Sequence, residues 1–278
     1  MNNQETENPQ NTTENPTESV DTQTTGSDSA AGQEKIHACV DVRLPLSKLQ
    51  EAMRVAHQEN PKNPDPDSED DLSKAAVETA KKWKPGRTLR VRFLGGHPAV
   101  KQKVVQYAKQ WEQHCSIRFD FNDAPDAEIR VAFLAGEGSW SYLGTDNLSI
   151  PQNEPTMNFG WLTPDSDESE YERVVVHEFG HALGLIHEHQ NPGGNIPWNK
   201  PVVYNYYQGP PNNWTKADVD NNLFKRYEKK KTQYSTFDSS SIMLYPIPAQ
   251  FVTDPKFAVG SNTQLSDTDK SFIGSIYP

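Results

Sequence analysis

His177, Glu178, His181 and His187 stand within one short stretch, spaced H-E-x-x-H-x-x-G-x-x-H with Gly184 as the fixed glycine. Positions i and i+4 of a helix share a face about one turn apart, so His177 and His181 can converge on one ion. Zinc suits such a set, because it accepts nitrogen ligands in a tetrahedron and can keep one position open for water. Glu178 adjoins the first imidazole and can reach that water as a general base. His187 lies beyond the reach of a continuing helix. Gly184 accepts positive φ without steric penalty, so the helix can stop there and the chain can return His187 to the same ion. A chance match to these five positions in a chain of this length is on the order of one in ten thousand or rarer. Ordinary buried core histidines are therefore the weaker reading. The chemistry implied is metal-assisted amide hydrolysis in proteins or peptides, with zinc as cofactor and Glu178 carrying the proton. The alternative is a zinc-binding interaction protein, latent or without turnover. The presence of Glu178 favours the enzyme.

These residues need a helix, and the surrounding patterns supply the frame for it. Glu170–Leu185 reads as the helix bearing the first two histidines. Thr88–Leu94 alternates as a strand, and Val100–His114 is an amphipathic helix with Val104, Val105, Ala108 and Trp111 on one face. Further strands are expected at Ser116–Asn122, Ala127–Leu134, Ser139–Thr145 and Thr156–Leu162. A strand, a helix and several strands before one long helix suggest an α+β protein built as an α/β sandwich.

The chain has 278 residues, 34% of them hydrophobic and 10% aromatic. Three segments are expected. Residues 1–35 are polar and acidic, with seven acids against one base, and carry over half of the net charge of −11. Such a segment buries too little apolar surface to fold, and a disordered tail is expected. Residues 36–82 form an N-terminal segment that could be a pro-segment. It has an extended stretch at Ile36–Leu44, a helix through Leu46, Leu49, Met53 and Ala56, and a second helix at Asp70–Lys82. Residues 83–278 form the catalytic domain. The negative charge argues against a nucleic-acid partner, and no apolar run is long enough for a membrane span. The first residues lack the apolar stretch of a secretory signal.

Downstream lies Ser241-Ile242-Met243-Leu244-Tyr245-Pro246. Alone, Met243 reads as a gap-filling core residue. Together with the histidine motif, this stretch resembles the Met-turn of metzincin zinc peptidases. From about Trp83 to Pro278 the chain resembles a metzincin catalytic domain, and His187-Glu188-His189 and Tyr245 are most similar to the astacin family. The resemblance implies a twisted, mostly parallel sheet, an active-site helix, a zinc site in a cleft above the Met-turn and a helical C-terminal subdomain. It also implies a zinc-coordinating or oxyanion-stabilising role for Tyr245, contact of Glu188 with a new N-terminus after activation, and a secreted protein. Leu265-Ser266-x-x-Asp269 and Ile276-Tyr277-Pro278 resemble the last helix of many metzincins. Leu244 departs from the astacin pattern, which has histidine there, and two cysteines cannot form the usual two disulfides.

Three uses of Cys39 are open: a thiolate that blocks zinc, a disulfide with Cys115, or a free thiol. Gly138–Gly144 lies where metzincins place the upper edge strand, which could pair with an extended peptide or be an ordinary edge. The region from Pro192 to Asp238 is expected to form the lower wall of the cleft. Its aromatics Trp198, Tyr204, Tyr206, Tyr207 and Trp214 read mostly as core, with some available to shape a pocket.

Overall fold

Alternating Leu89 and Val91 are fully buried in strand β1 (Thr88–Phe93), an interior strand of the upper sheet. The computed structural model describes residues 39–40, 42–67, 81–210, 212–227 and 235–278. The tail expected at residues 1–35 lies outside them. So does the helix expected at Asp70–Lys82, except for its last two residues, which are not helical.

After β1 come β2 (Arg118–Asp120), β3 (Ile129–Ala132), β4 (Ser139–Ser141) and β5 (Met157–Phe159). The five strands are ordered β2-β1-β3-β5-β4. All neighbours pair in parallel except β4, which pairs antiparallel with β5 and lies at the edge. Parallel strands need a crossover. Between β1 and β2 it is a helix at Pro98–Ala108, which buries Val100, Val104, Tyr107 and Ala108. A shorter N-terminal helix, α1 (Leu49–Glu59), precedes the sheet, so the crossover helix is α2. α2 ends earlier than its apolar period suggests, and Trp111 sits in a separate 3-10 turn. There its indole donates to Val176 O at 2.9 Å. Tertiary contact overrides the period at this point.

The long helix α3 (Glu168–Ala182) lies under the sheet. Phe179 packs edge-on against Phe119 of β2, with ring centroids 4.9 Å apart. After α3 come α4 (Lys200–Gln208), α5 (Lys216–Val219) and α6 (Asp267–Ile276), joined by much irregular chain. Val203, Tyr207, Val219, Leu223, Leu244, Tyr245 and Phe251 form a lower core, with Trp198, Tyr204, Tyr206 and Trp214 packed around it. Ser266 and Asp269 cap the start of α6 with a reciprocal capping box, a signal present in the sequence as S-x-x-D. Tyr277 is fully buried. Its hydroxyl donates to Leu183 O at 2.7 Å and accepts from Trp83 N, and its carbonyl accepts from Ser116 N at 2.9 Å.

Candidate active site

α3 places His177 and His181 one turn apart, and both are almost fully buried. His177 Nδ1 lies 2.8 Å from Ile242 O, and His181 Nδ1 lies 2.7 Å from Leu185 O. A carbonyl oxygen only accepts, so each Nδ1 carries the proton and each Nε2 keeps its lone pair. The Nε2 of His181 is 3.2 Å from that of His177 and 3.0 Å from that of His187. Burial, and then the neighbouring His181, hold His177 and His187 well below the usual imidazole range. Neutral imidazoles whose lone pairs converge in this way are a ligand set for a cation. Three nitrogen donors with a carboxylate beside them fit one zinc ion with an open position.

The return of His187 follows from one glycine. Gly184 has φ +93°, the left-handed region that favours glycine. Gly184 N donates to His181 O at 2.8 Å and Leu185 N to Gly180 O at 2.9 Å, the paired bonds of a Schellman ending. The same turn supplies the Leu185 carbonyl that orients His181. Glu188 N then donates to Met243 O at 2.9 Å, tying His187 to the turn beneath it. Met243 packs so closely against α3 that a Cβ on Gly180 would lie 2.5 Å from its Sδ. Asp269 holds that turn from below, accepting from Ser241 Oγ at 2.6 Å and Ile242 N at 2.8 Å.

Glu178 is buried beside the histidines, and burial raises its carboxyl to about 8, against the opposing hydrogen bond from Cys39. Cys39 Sγ lies 3.4 Å from Glu178 Oε2. One ligand atom each of Cys39, His177, His181 and His187 all lie within 4.8 Å of one another. Tyr245 donates its hydroxyl to Cys39 O, while its ring packs 4.5 Å from His187 and 4.6 Å from His189. Cys39 also bridges in parallel to Ser139 of β4, and Val40 N donates to Ser139 O at 3.0 Å. Cys39 and Cys115 are not joined in a disulfide, and Cys115 donates to Trp111 O at 3.4 Å. The orienting carbonyls of Ile242 and Leu185 and the supporting Asp269 have no side-chain signature that spacing could reveal, apart from the capping box that includes Asp269. Glu188 faces away from the ligand cluster, accepting from Asp238 N at 2.8 Å and Asn191 Nδ2 at 2.9 Å.

The chain matches the Astacin peptidase family over residues 75–277. It belongs to the astacin family. Among solved structures, it is similar to myroilysin, at 52% identity and a TM-score of 0.70, over 72% of this chain and 97% of that one. High choriolytic enzyme 1, a hatching-enzyme zinc-protease from Oryzias latipes, is 17% identical with a TM-score of 0.51. The match covers 72% of this chain and 95% of that one, and the two share the fold. Zinc metalloproteinase dpy-31 of Teladorsagia circumcincta is 26% identical over 205 residues, 71% of this chain and 31% of that protein. The chain spans about a third of the length of the curated relatives it matches. In this astacin-family chain Leu244, where astacins have histidine, is buried in the lower core. Among the described residues, no helix is long and apolar enough to cross a membrane.

Proposed function

We propose that this chain is a zinc-dependent endopeptidase, with His177, His181 and His187 holding the metal and Glu178 as general base. The observation that carries the reading is the convergence of three buried imidazole Nε2 atoms beside a buried carboxylate. Zinc, when bound, supplies Lewis-acid polarisation of the scissile carbonyl and a lowered pKa for water. A Glu178 carboxylate oxygen takes a proton from the attacking water and delivers it to the leaving amine nitrogen. The Tyr245 hydroxyl donates to the developing oxyanion. An extended protein or peptide substrate pairs with the edge strand β4. Secretion follows from the likeness to secreted astacin-type peptidases.

The N-terminal segment acts as a pro-segment, and Cys39 touches each working part of the site. Its sulfur joins the ligand cluster and bonds to Glu178, and its carbonyl takes the Tyr245 hydroxyl. Its backbone also occupies β4 at Ser139. These contacts support a latent enzyme over an interaction protein without turnover, which would have no use for Glu178.

The test is casein cleavage by the full chain, by Cys39→Ser and by Cys39→Ser/Glu178→Ala, with and without a zinc chelator. Cleavage by Cys39→Ser that needs both metal and Glu178 is expected. A zinc-loaded Cys39→Ser chain that leaves casein intact after pro-segment removal would sink the peptidase reading.

A further inference from the structure

The described chain ahead of the sheet changes character at Leu44. Before it, Cys39 and Val40 lie across the cleft, held by the thiol, the Cys39 carbonyl and one backbone bond to Ser139. From Leu44 onward the chain is built into the body of the protein. Leu44 and Ala52 bury against Ile150. α1 packs on the 3-10 turn Gly144–Ser149 that follows β4. Asn60 Nδ2 donates to Trp83 O at 3.0 Å, Asn63 Nδ2 donates to Lys82 O at 2.8 Å, and Asn63 Oδ1 accepts from Lys82 N. Glu59 pairs with Arg87 at 3.0 Å. The fully buried Trp83 in turn donates its indole to Ala182 O at 2.8 Å, in the last turn of α3. The segment from Leu44 to Asp67 thus buttresses the chain that holds the end of the histidine-bearing helix.

This division decides which cut can release Cys39. A cut beyond α1 would leave Cys39 tethered to a docked helix, at the high effective concentration of an intramolecular ligand. Only a break between Val40 and Leu44 disconnects it from the docked part. Arg43 is the one basic residue in that window. It is exposed and non-helical, the kind of position where proteases act.

We propose that activation is hydrolysis of the Arg43–Leu44 bond by an endopeptidase selective for a basic residue on the acyl side, and that residues 44–67 remain in the mature enzyme. Water adds across the peptide C–N bond, leaving a carboxylate on Arg43 and an ammonium on Leu44. The inference rests on the latency reading given above. It places the functional boundary at Leu44, not near Trp83.

The experiment is limited trypsin treatment of the full zinc-loaded chain, followed by N-terminal sequencing, intact mass and casein cleavage over time. The expected active product begins at Leu44, and Arg43→Gln slows the gain of activity at least tenfold. Cys39→Ser without trypsin provides the reference. If uncut Cys39→Ser cleaves casein but Arg43→Gln activates at the wild-type rate, the boundary is wrong and the latency reading stands. Activity that tracks a product starting at or beyond Trp83 has the same meaning. If uncut Cys39→Ser is as silent as the untreated wild type, the latency reading falls and takes the boundary with it.

Discussion

From β1 to Gly184, the side chains that face the site are placed by repeating backbone; downstream of Gly184, they are placed by single polar contacts. β1, β3 and β5 share parallel register, and α3 sets His177, Glu178 and His181 by its own period. His187, Met243 and Tyr245 sit in non-repetitive chain. Their positions depend on a few bonds: Glu188 N to Met243 O, and Ser241 and Ile242 to Asp269. Repeating structure spreads its support over many equivalent hydrogen bonds, and irregular chain concentrates it in a few atoms. The downstream side should therefore lose more from one polar substitution than the upstream side loses from one packing change.

The largest effect is expected at Asp269. Asp269→Ala leaves Ser241 Oγ, the buried Ile242 N–H and the half-buried Ser266 N–H without their acceptor. An unsatisfied buried group costs about 1–3 kcal/mol, so a loss of about 3 kcal/mol in urea unfolding is expected, with weaker zinc binding because Ile242 O orients His177. A loss under about 1 kcal/mol would erase the contrast between the two sides.

Next is Gly184→Ala. A Cβ there meets only ordinary contacts, with the nearest atom, Lys81 O, at 3.5 Å. The cost is then backbone strain alone, about 1–2 kcal/mol, read as a lower urea midpoint with unchanged m. A smaller net loss, about 1 kcal/mol, is expected for Gly180→Ala. Overpacking against Met243 costs about 1–3 kcal/mol, and the gain in helix propensity returns about 1. If the Gly180 variant lost more than the Gly184 variant, the upstream side would be the less forgiving one.

The last comparison is a change of slope with pH, not of stability at one pH. Burial raises Glu188 from 4.5 to about 8 in the folded protein. Between those values the folded state holds more protons than the unfolded state, so this group's contribution to stability falls as pH rises across the window. Glu188→Gln should remove that fall, gaining on wild type between urea titrations at pH 5 and pH 8. Equal differences at both pH values would mean that the carboxyl is not held by its surroundings as described.

What could be read in the sequence follows the same division. The alternation in β1, the period of α3 and the glycine that ends it are local signals, and the structure gathers His177, His181 and His187 as that spacing suggests. The contacts of Cys39 cross 139 residues to Glu178, and no local pattern encodes them. Asn60 and Asn63 look like turn residues in the sequence, yet both are buried and brace Lys82 and Trp83. The aromatics of the lower region carry no periodicity that separates pocket from core. Only packing shows Tyr207 fully enclosed between Trp214 and Phe251.

Tyr277 gives the order of synthesis a consequence. Its hydroxyl bridges Leu183 O and Trp83 N, and its carbonyl holds Ser116 N, so one residue just past α6 joins the chain ahead of β1, the chain ahead of β2 and the end of α3. A ribosome delivers the chain from the N-terminus, and domains fold as units as they emerge. The helix bearing His177 and His181 therefore waits for its last brace until residue 277 has left the ribosome. The nascent chain cannot give this helix its full bracing before residue 277 is available.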